Sequence, residues 1–496
     1  MTRSSLAQMA QEALGRDPAT RAIEFEGCWH DWGEVSALAK RVMALLEETG
    51  IAADAPVGFV ARNHPSALAA QLGLIAADRR IVMIYPFQSP EALAGDISRA
   101  HVAALVGAEG DIAGPVLDAL RDSGTAAIAL DGMAARTVPG FETASADFEY
   151  QARGEPRIEI LTSGTTGPPK RFPIPYRMIS EHLIGKATTP GASTSGRPSA
   201  APFLLFMPLG NISGIYTTIP PMLQGQPVVL LERFSIAGWR DFVVRYRPVM
   251  SGVPAAMVRA LLDADIPRED LASIRFMGVG AAPLDPDVQA AFEERYGIPI
   301  LLSYGATEFG GPVASMKPEH IEEFGFAKRG SVGRALGEAR LRIVDPESGA
   351  ELPPGREGLL EVVSPRMGPD WMRTSDVAVL DADGFLYIRG RADGAINRGG
   401  FKLLPGAIER ALMEHASVAA ACVVAVPDRK LGEVPGAAIQ ARPGTATLDS
   451  SELERHLRER LPATYIPRHW RVLEELPRTP SEKIDKAATR RLFQTT

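Results

Sequence analysis

A chain of 496 residues exceeds what one hydrophobic core usually serves, so two or more domains are expected. With 45% apolar and 23% charged residues and a formal charge of −7, it reads as a globular protein without the basic footprint of a nucleic-acid binder. Its two cysteines, Cys28 and Cys422, lie too far apart in sequence for a zinc or disulfide pattern. The amphipathic start "MTRSSLAQMAQEALGRD" lacks a signal-peptide core, and no apolar run nears the ~18 residues of a membrane span, so a cytoplasmic protein is expected.

The first third alternates helix and strand patterns. In "WGEVSALAKRVMALLEETG", Val35, Leu38, Val42 and Leu45 fall on one helical face, and Gly50 ends the helix. "PVGFVA" and "RIVMIYP" read as strands on either side of the helix "HPSALAAQLGLIAAD". Ser89 caps the next helix, with Pro90 in its first position. "HVAALVG", "PVLDALRDSG" and "AAIAL" repeat the pattern, which implies βαβ units and a mostly parallel sheet. The alternation resumes with strands at "FLLFMPLG", "PVVLLERF", "VMSGVP" and "SIRFMGVG" separated by helices, one of them capped by Asp285 ahead of Pro286. From about residue 335, "ARLRIVDPESGAELPPGREGLLEVVSP" and "VAVLDADGFLYIRGR" read as short antiparallel strands joined by Asp-Gly and Pro-Gly turns. A compact α+β segment follows Arg391. The expected fold is thus α/β: a large N-terminal domain, residues 1–391, with a β-rich subdomain, and a small C-terminal domain, residues 392–496. The boundary falls at the polar turn "GRADG".

Between two such elements lies "ILTSGTTGPPK", Ile160 to Lys170. Gly164 and Gly167 remove two Cβ atoms, so successive backbone N–H groups can turn toward one anion. Thr162, Ser163, Thr165 and Thr166 add hydroxyl donors, and Lys170 adds a cation. That is equipment for a polyphosphate, although a Ser/Thr-rich surface turn has the same composition. The Walker spacing is absent, which disfavours a P-loop NTPase.

The loop is followed, in order, by "SYGATEFGG", "WMRTSDVAVLDADGFLYIRGRADGAINRGGFKLLPGAIE" and "LPRTPSEKIDK". With these four motifs the chain resembles, from about residue 20 to 490, the adenylate-forming enzymes: acyl-CoA and aryl-CoA synthetases, nonribosomal adenylation domains and luciferase. The resemblance implies that the loop clamps the β- and γ-phosphates of ATP. It also implies that Tyr304 stacks on adenine, that Thr307 binds the α-phosphate and that Glu308 holds Mg²⁺. A carboxylate attacking a polyanionic nucleotide needs such a cation to offset repulsion. Gly280, Ala281 and Ala282 in "GAAPL" match the adenine wall, beside Gly305. Asp376 matches the residue that accepts both ribose hydroxyls, and Ile388 and Arg391 the nucleotide contacts near the boundary. Asp393 matches a hinge. Gly400 and Lys402 match the turn that admits a pantetheine arm, and Lys483 the lysine that bridges carboxylate and α-phosphate. Three places depart from the family's usual letters: Ser375 for Gly in "TSD", Glu482 for Gly before the lysine, and Ala407 for Glu, with Glu409 retained.

The acyl pocket is expected from "FMPLGNISGIY", "VGAA" and "YGATEFGG". Asn211 stands where many relatives place His, either to hydrogen-bond a polar substituent or to cap a loop. Gly210, Gly214, Gly305, Gly310 and Gly311 suggest room for a bulky or aromatic acid, and position 211 holds no acidic residue to pair with an α-amino group. The resemblance therefore implies a carboxylic acid–CoA ligase, AMP-forming, using ATP, Mg²⁺ and coenzyme A, as monomer or homodimer. The alternatives are transfer to an amine or a carrier-protein thiol. A third possibility is a nucleotide-binding protein without chemistry, which the retained Lys170, Glu308, Asp376, Arg391 and Lys483 argue against. Residues 451–496 hold ten Lys/Arg against seven Asp/Glu, a surplus of three that suits a phosphorylated acceptor, as it would a solvated helix face.

Overall fold

The computed structural model describes residues 5–145, 155–162, 170–184, 201–280, 282–398, 401–428, 431–445, 448–461, 463–479 and 483–494. The chain divides into two compact units, one of residues 1–282 and 288–312, the other of residues 283–287 and 313–496.

The first unit is built on a seven-stranded sheet. Its central strands Ala126–Asp131, Ala104–Ala108, Pro56–Val60, Arg80–Ile84 and Arg157–Thr162 run parallel, with an antiparallel strand on each edge. Parallel strands need crossover helices, and the two faces so covered explain near-continuous apolar runs such as "RIVMI", in which only Arg80 reaches solvent. The helix Trp32–Glu48 buries Val35, Leu38, Val42 and Leu45, as its periodicity requires. Ser89 accepts from the Ala92 N–H and caps Pro90–Ala100, and Asp285 accepts from the Asp287 N–H at the start of Pro286–Tyr296. A second sheet joins Phe203–Leu205, Val228–Leu230, Arg21–Phe25 and Cys28–Asp31. Met250–Pro254, Phe276–Gly280 and Ile300–Ala306 pair in parallel.

The second unit contains a four-stranded antiparallel sheet of Arg340–Val344, Glu357–Val363, Met372–Leu380 and Leu386–Arg391. A separate sheet is centred on the long pair Val418–Asp428 and Gly432–Ala441, with His469–Leu473 parallel to the latter. Ile396, Leu403, Ile408, Leu412, Leu453 and Leu457 form its core with the helices Pro405–Met413 and Ser450–Arg458. No helix of the described residues is long and apolar enough to cross a membrane.

Two elements are absent from the sequence reading. Arg21–Phe25 and Cys28–Asp31 form a hairpin turned by Glu26 and Gly27, both at positive φ. Lys170–Pro175 is a strand despite two prolines, which an edge strand tolerates. Ile212–Gln224 is the helix expected between two of the strands, and it carries Pro220 and Pro221 in its interior.

Candidate active site

In the first unit, Arg157–Thr162 and Lys170–Pro175 are antiparallel neighbours, with Thr162 opposite Lys170. The Thr/Ser/Gly loop thus leaves and re-enters the sheet on one rung. Ser163, Gly164, Thr165, Thr166 and Gly167 lie outside the described residues, and Thr162 and Lys170 are placed by their backbone. Beneath them Ile158 and Ile160 are buried, and Glu159 accepts at 2.8 Å from both Arg80 Nε and Arg157 Nε. Burial pushes the Glu159 carboxyl up, but the hydrogen bonds and charges of the two arginines outweigh it and hold it below the usual carboxylate range.

Strand Ile300–Ala306 delivers Tyr304 and Gly305 and ends in a short 3₁₀ turn, Thr307–Phe309. Phe309 is buried and lies 6.0 Å, centroid to centroid, from the Tyr304 ring, while Glu308 is exposed. Among the described residues nothing pairs with Glu308, and no group of three His, Cys, Asp or Glu side chains forms a metal cage. A lone accessible carboxylate suits Mg²⁺, which is held by one or two carboxylates with substrate phosphates and water. Gly280 ends its strand where a Cβ would stand 2.5 Å from Ser303 Oγ, and Ala282 is exposed; Ala281 lies outside the described residues.

The segment expected to line the acyl pocket is held by two residues that the sequence reading passed over. Asn63, 1% exposed, donates through Nδ2 to the Met207 and Leu231 carbonyls and accepts from the Leu209 N–H. It therefore fixes the stretch that leads into Gly210 and Asn211. The Tyr216 hydroxyl donates to the Gly310 carbonyl. A buried amide between a strand and a helix N-cap, "ARNH", was the available signal for Asn63; nothing local marks Tyr216. Asn211 acts as a helix cap: Oδ1 accepts from the Gly214 N–H at 2.7 Å and starts Ile212–Gln224.

The glycines serve close approach more than width. A Cβ at Gly305 would lie 2.5 Å from the Gly311 carbonyl oxygen, one at Gly311 2.2 Å from Tyr216 Cζ, and one at Gly214 2.0 Å from the Pro208 oxygen. Gly310 and Gly311 also sit at φ +64 and +118. A Cβ at Gly210 would face space, its nearest neighbour Met83 Cβ at 3.9 Å.

In the second unit Asp376 lies opposite Arg391 across the strand pair, and Ile388 pairs with Ala378 one bulge away. Asp376 Oδ1 is 3.7 Å from Arg391 Nη1. The Thr374 hydroxyl accepts from the Asp376 N–H and donates to the Leu360 carbonyl, which locks the "TSD" backbone. Asp393 falls in the 3₁₀ turn Ala392–Gly394 and Lys402 in the strand Phe401–Leu403, both placed by backbone. Gly400 and Glu482 lie outside the described residues. Lys483 is exposed on a loop closed by an Arg478–Ile484 bridge and by the Thr479 N–H donating to its carbonyl at 2.6 Å. Asp485 then caps the helix Lys486–Arg491. Ala407 lies in Pro405–Met413, where Glu409 accepts from the Val423 N–H and faces Lys486 at 3.8 Å.

Comparison with known proteins matches these features to one family. The AMP-binding enzyme model covers residues 10–369, and the AMP-binding enzyme C-terminal domain model covers 407–483. The sulfoacetate–CoA ligase of Cupriavidus necator is 30% identical over 393 residues, 75% of this chain and 74% of that protein. The 2-succinylbenzoate–CoA ligase of Bacillus subtilis is 29% identical over 340 residues, 66% of each chain. Among solved structures, the amide bond synthetase McbA of Marinactinospora thermotolerans is 26% identical, with a TM-score of 0.78, over 98% of this chain and 99% of that one.

The fold and family models define an AMP-forming ligase of the acyl-CoA synthetase type. The chain belongs to the AMP-binding enzymes of the adenylate-forming superfamily.

Proposed function

We propose that the protein condenses a carboxylic acid with ATP to acyl-AMP and pyrophosphate, then passes the acyl group to the thiol of coenzyme A. The observation that carries this reading is that both family models match one chain, the second running to Lys483 itself. In the first half-reaction the substrate carboxylate oxygen attacks the α-phosphorus and pyrophosphate leaves. The "TSGTTG" amides and hydroxyls with Lys170 hold the leaving phosphates, Thr307 the α-phosphate, and Tyr304 the adenine. Glu308 would hold Mg²⁺, which supplies charge neutralisation at the phosphate oxygens. Lys483 Nζ offsets the negative charge shared by the attacking carboxylate and the α-phosphoryl group. Asp376 and Arg391 receive the ribose.

The domain boundary in this reading lies at Arg391, with Asp393 as the pivot. The interval left between the two family models, residues 370–406, supports that placement. Rotation there would exchange Lys483 for Gly400 and Lys402, opening the path for pantetheine. In this reading the room for a bulky or aromatic acid rests on Gly210, with Asn211 beside it at the pocket. A second reading, in which an amine takes the acyl group, is favoured by the 26% identity to an amide bond synthetase over 98% of the chain.

One experiment separates these readings: a panel of acids with ATP and Mg²⁺, assayed for AMP release with coenzyme A, with an amine, or with neither. AMP release and thioester with coenzyme A alone support the first reading. Amide formation without coenzyme A supports the second. Failure of every acid to release AMP or exchange pyrophosphate refutes both.

A further inference from the structure

Arg391 ends the strand Leu386–Arg391 with 45% of its side chain exposed, just before the turn Ala392–Gly394. An arginine so placed ordinarily samples many rotamers, and a ligand that orders it must overcome that entropy. Here the fork is held from within its own sheet. Arg391 Nη2 donates to Ser375 Oγ, while Nη1 stands 3.7 Å from Asp376 Oδ1. The second distance is longer than a hydrogen bond, so the ion pair alone fixes neither the orientation nor the plane of the guanidinium. The serine hydroxyl supplies a directional contact. Ser375 is itself tied down: it sits between Thr374, whose hydroxyl bonds to the Leu360 carbonyl, and Asp376, whose N–H bonds back to Thr374. A glycine at this place, the family's usual letter, offers Arg391 no side-chain acceptor.

We infer that Ser375 is a positioning residue for the nucleotide. It acts through Arg391, holding the guanidinium plane beside the Asp376 carboxylate so that both address the ribose of ATP together. The inference rests on the nucleotide role proposed above for Asp376 and Arg391. It makes the serine a determinant of how strictly the protein requires a ribose with both hydroxyls. Because Ser375 touches Arg391 and not the reacting atoms, its effect belongs to binding and to ribose discrimination, and not to the acid.

The test is calorimetric binding of Mg·ATP and Mg·2′-deoxy-ATP to the wild type, Ser375→Ala, Ser375→Thr, Arg391→Ala and the Ser375→Ala/Arg391→Ala double variant, with thermal midpoints alongside. Ser375→Ala is expected to weaken ATP by roughly threefold to tenfold, the fold-change one hydrogen bond of ordinary net strength sets. It should also narrow the preference for ATP over the deoxy nucleotide, with an unchanged midpoint and an unchanged KM for the acid. Ser375→Thr, which keeps the hydroxyl, should bind as the wild type. In the Arg391→Ala background the serine substitution should cost nothing further. Wild-type ATP binding by Ser375→Ala would overturn the inference, as would an equal loss in the absence of Arg391, or a loss accompanied by a falling midpoint. If Arg391→Ala itself binds ATP as tightly as the wild type, the nucleotide role of Arg391 fails, and the inference with it.

Discussion

Replacing Glu159 by glutamine tests whether the strand that leads into Thr162 is electrostatically clamped. The carboxylate lies three residues before Thr162 on the same strand, and its side chain and those of Arg80 and Arg157 are 9%, 16% and 12% exposed. Removing one member of a buried ion pair costs ~3–5 kcal/mol, because the partner charge is stranded. Glutamine fits the same volume and keeps one acceptor oxygen, so a loss of about 2–3 kcal/mol is expected. At ~2 °C per kcal/mol for units of a few hundred residues, the unfolding midpoint should fall by roughly 4–6 °C at pH 7. The pH dependence gives the sharper signature. The folded carboxyl titrates below its unfolded value, so the unfolded chain binds more protons as pH falls. The contribution of Glu159 is therefore complete above its unfolded value, about 4.3, and disappears as pH drops through the folded one. Thermal unfolding of both proteins at pH 7, 5.5 and 3.5 checks this: the gap should be the same at the first two and shrink at the third. A gap below about 1 °C at pH 7, against the ~2–3 kcal/mol argued here, would refute the clamp.

Other outcomes follow from the proposed chemistry. Turnover should yield AMP and pyrophosphate and should require Mg²⁺; ADP and phosphate as products would remove the adenylation mechanism. Glu308→Gln should slow acyl-AMP formation by roughly 10²-fold, the usual effect of one preorganised electrostatic group, and a normal rate at saturating Mg²⁺ would place the metal elsewhere. Lys483→Ala should nearly abolish acyl-AMP formation while supplied acyl-AMP still reacts with coenzyme A; equal slowing of both steps would contradict exchange of the two poses. Asn211→Ala should lose the cap, about 1 kcal/mol, whereas Asn211→Asp keeps it, so a change in acid ranking with Asp at unchanged stability assigns Asn211 to the pocket. An unchanged ranking would confine it to the helix start.

What the chain declared in advance was its periodic and punctuated parts. The buried face of Trp32–Glu48, the Ser89 cap and the parallel alternation follow from apolar spacing and capping chemistry, which act within a few residues. Lys170–Pro175 escaped because Pro173 and Pro175 are poor strand formers, admitted there only by its edge position, a fact of sheet order. Ile212–Gln224 was expected only as a helix between two strands; Pro220 and Pro221 in its interior are both buried, so tertiary packing sustains it against their cost. At the site, the motif residues were recognisable by their order. Their supports were not: Asn63 reaches Met207 and Leu231 across 144 and 168 residues, and Arg391 reaches Ser375 across 16. Such contacts depend on strand register, which no local pattern encodes.

The packing around Gly305 and Gly311 sets limits on how the acid preference can be re-engineered. A side chain at either position meets backbone or the Tyr216 ring at 2.5 Å or less, and Gly311 adds a φ that other residues resist. A randomised library that samples these two codons will fill with members that fail to fold, whatever acid is used for selection. Productive diversity lies at Gly210, where a new side chain enters space, and at the helix start behind it, provided that Asn63 and a capping group at 211 are retained.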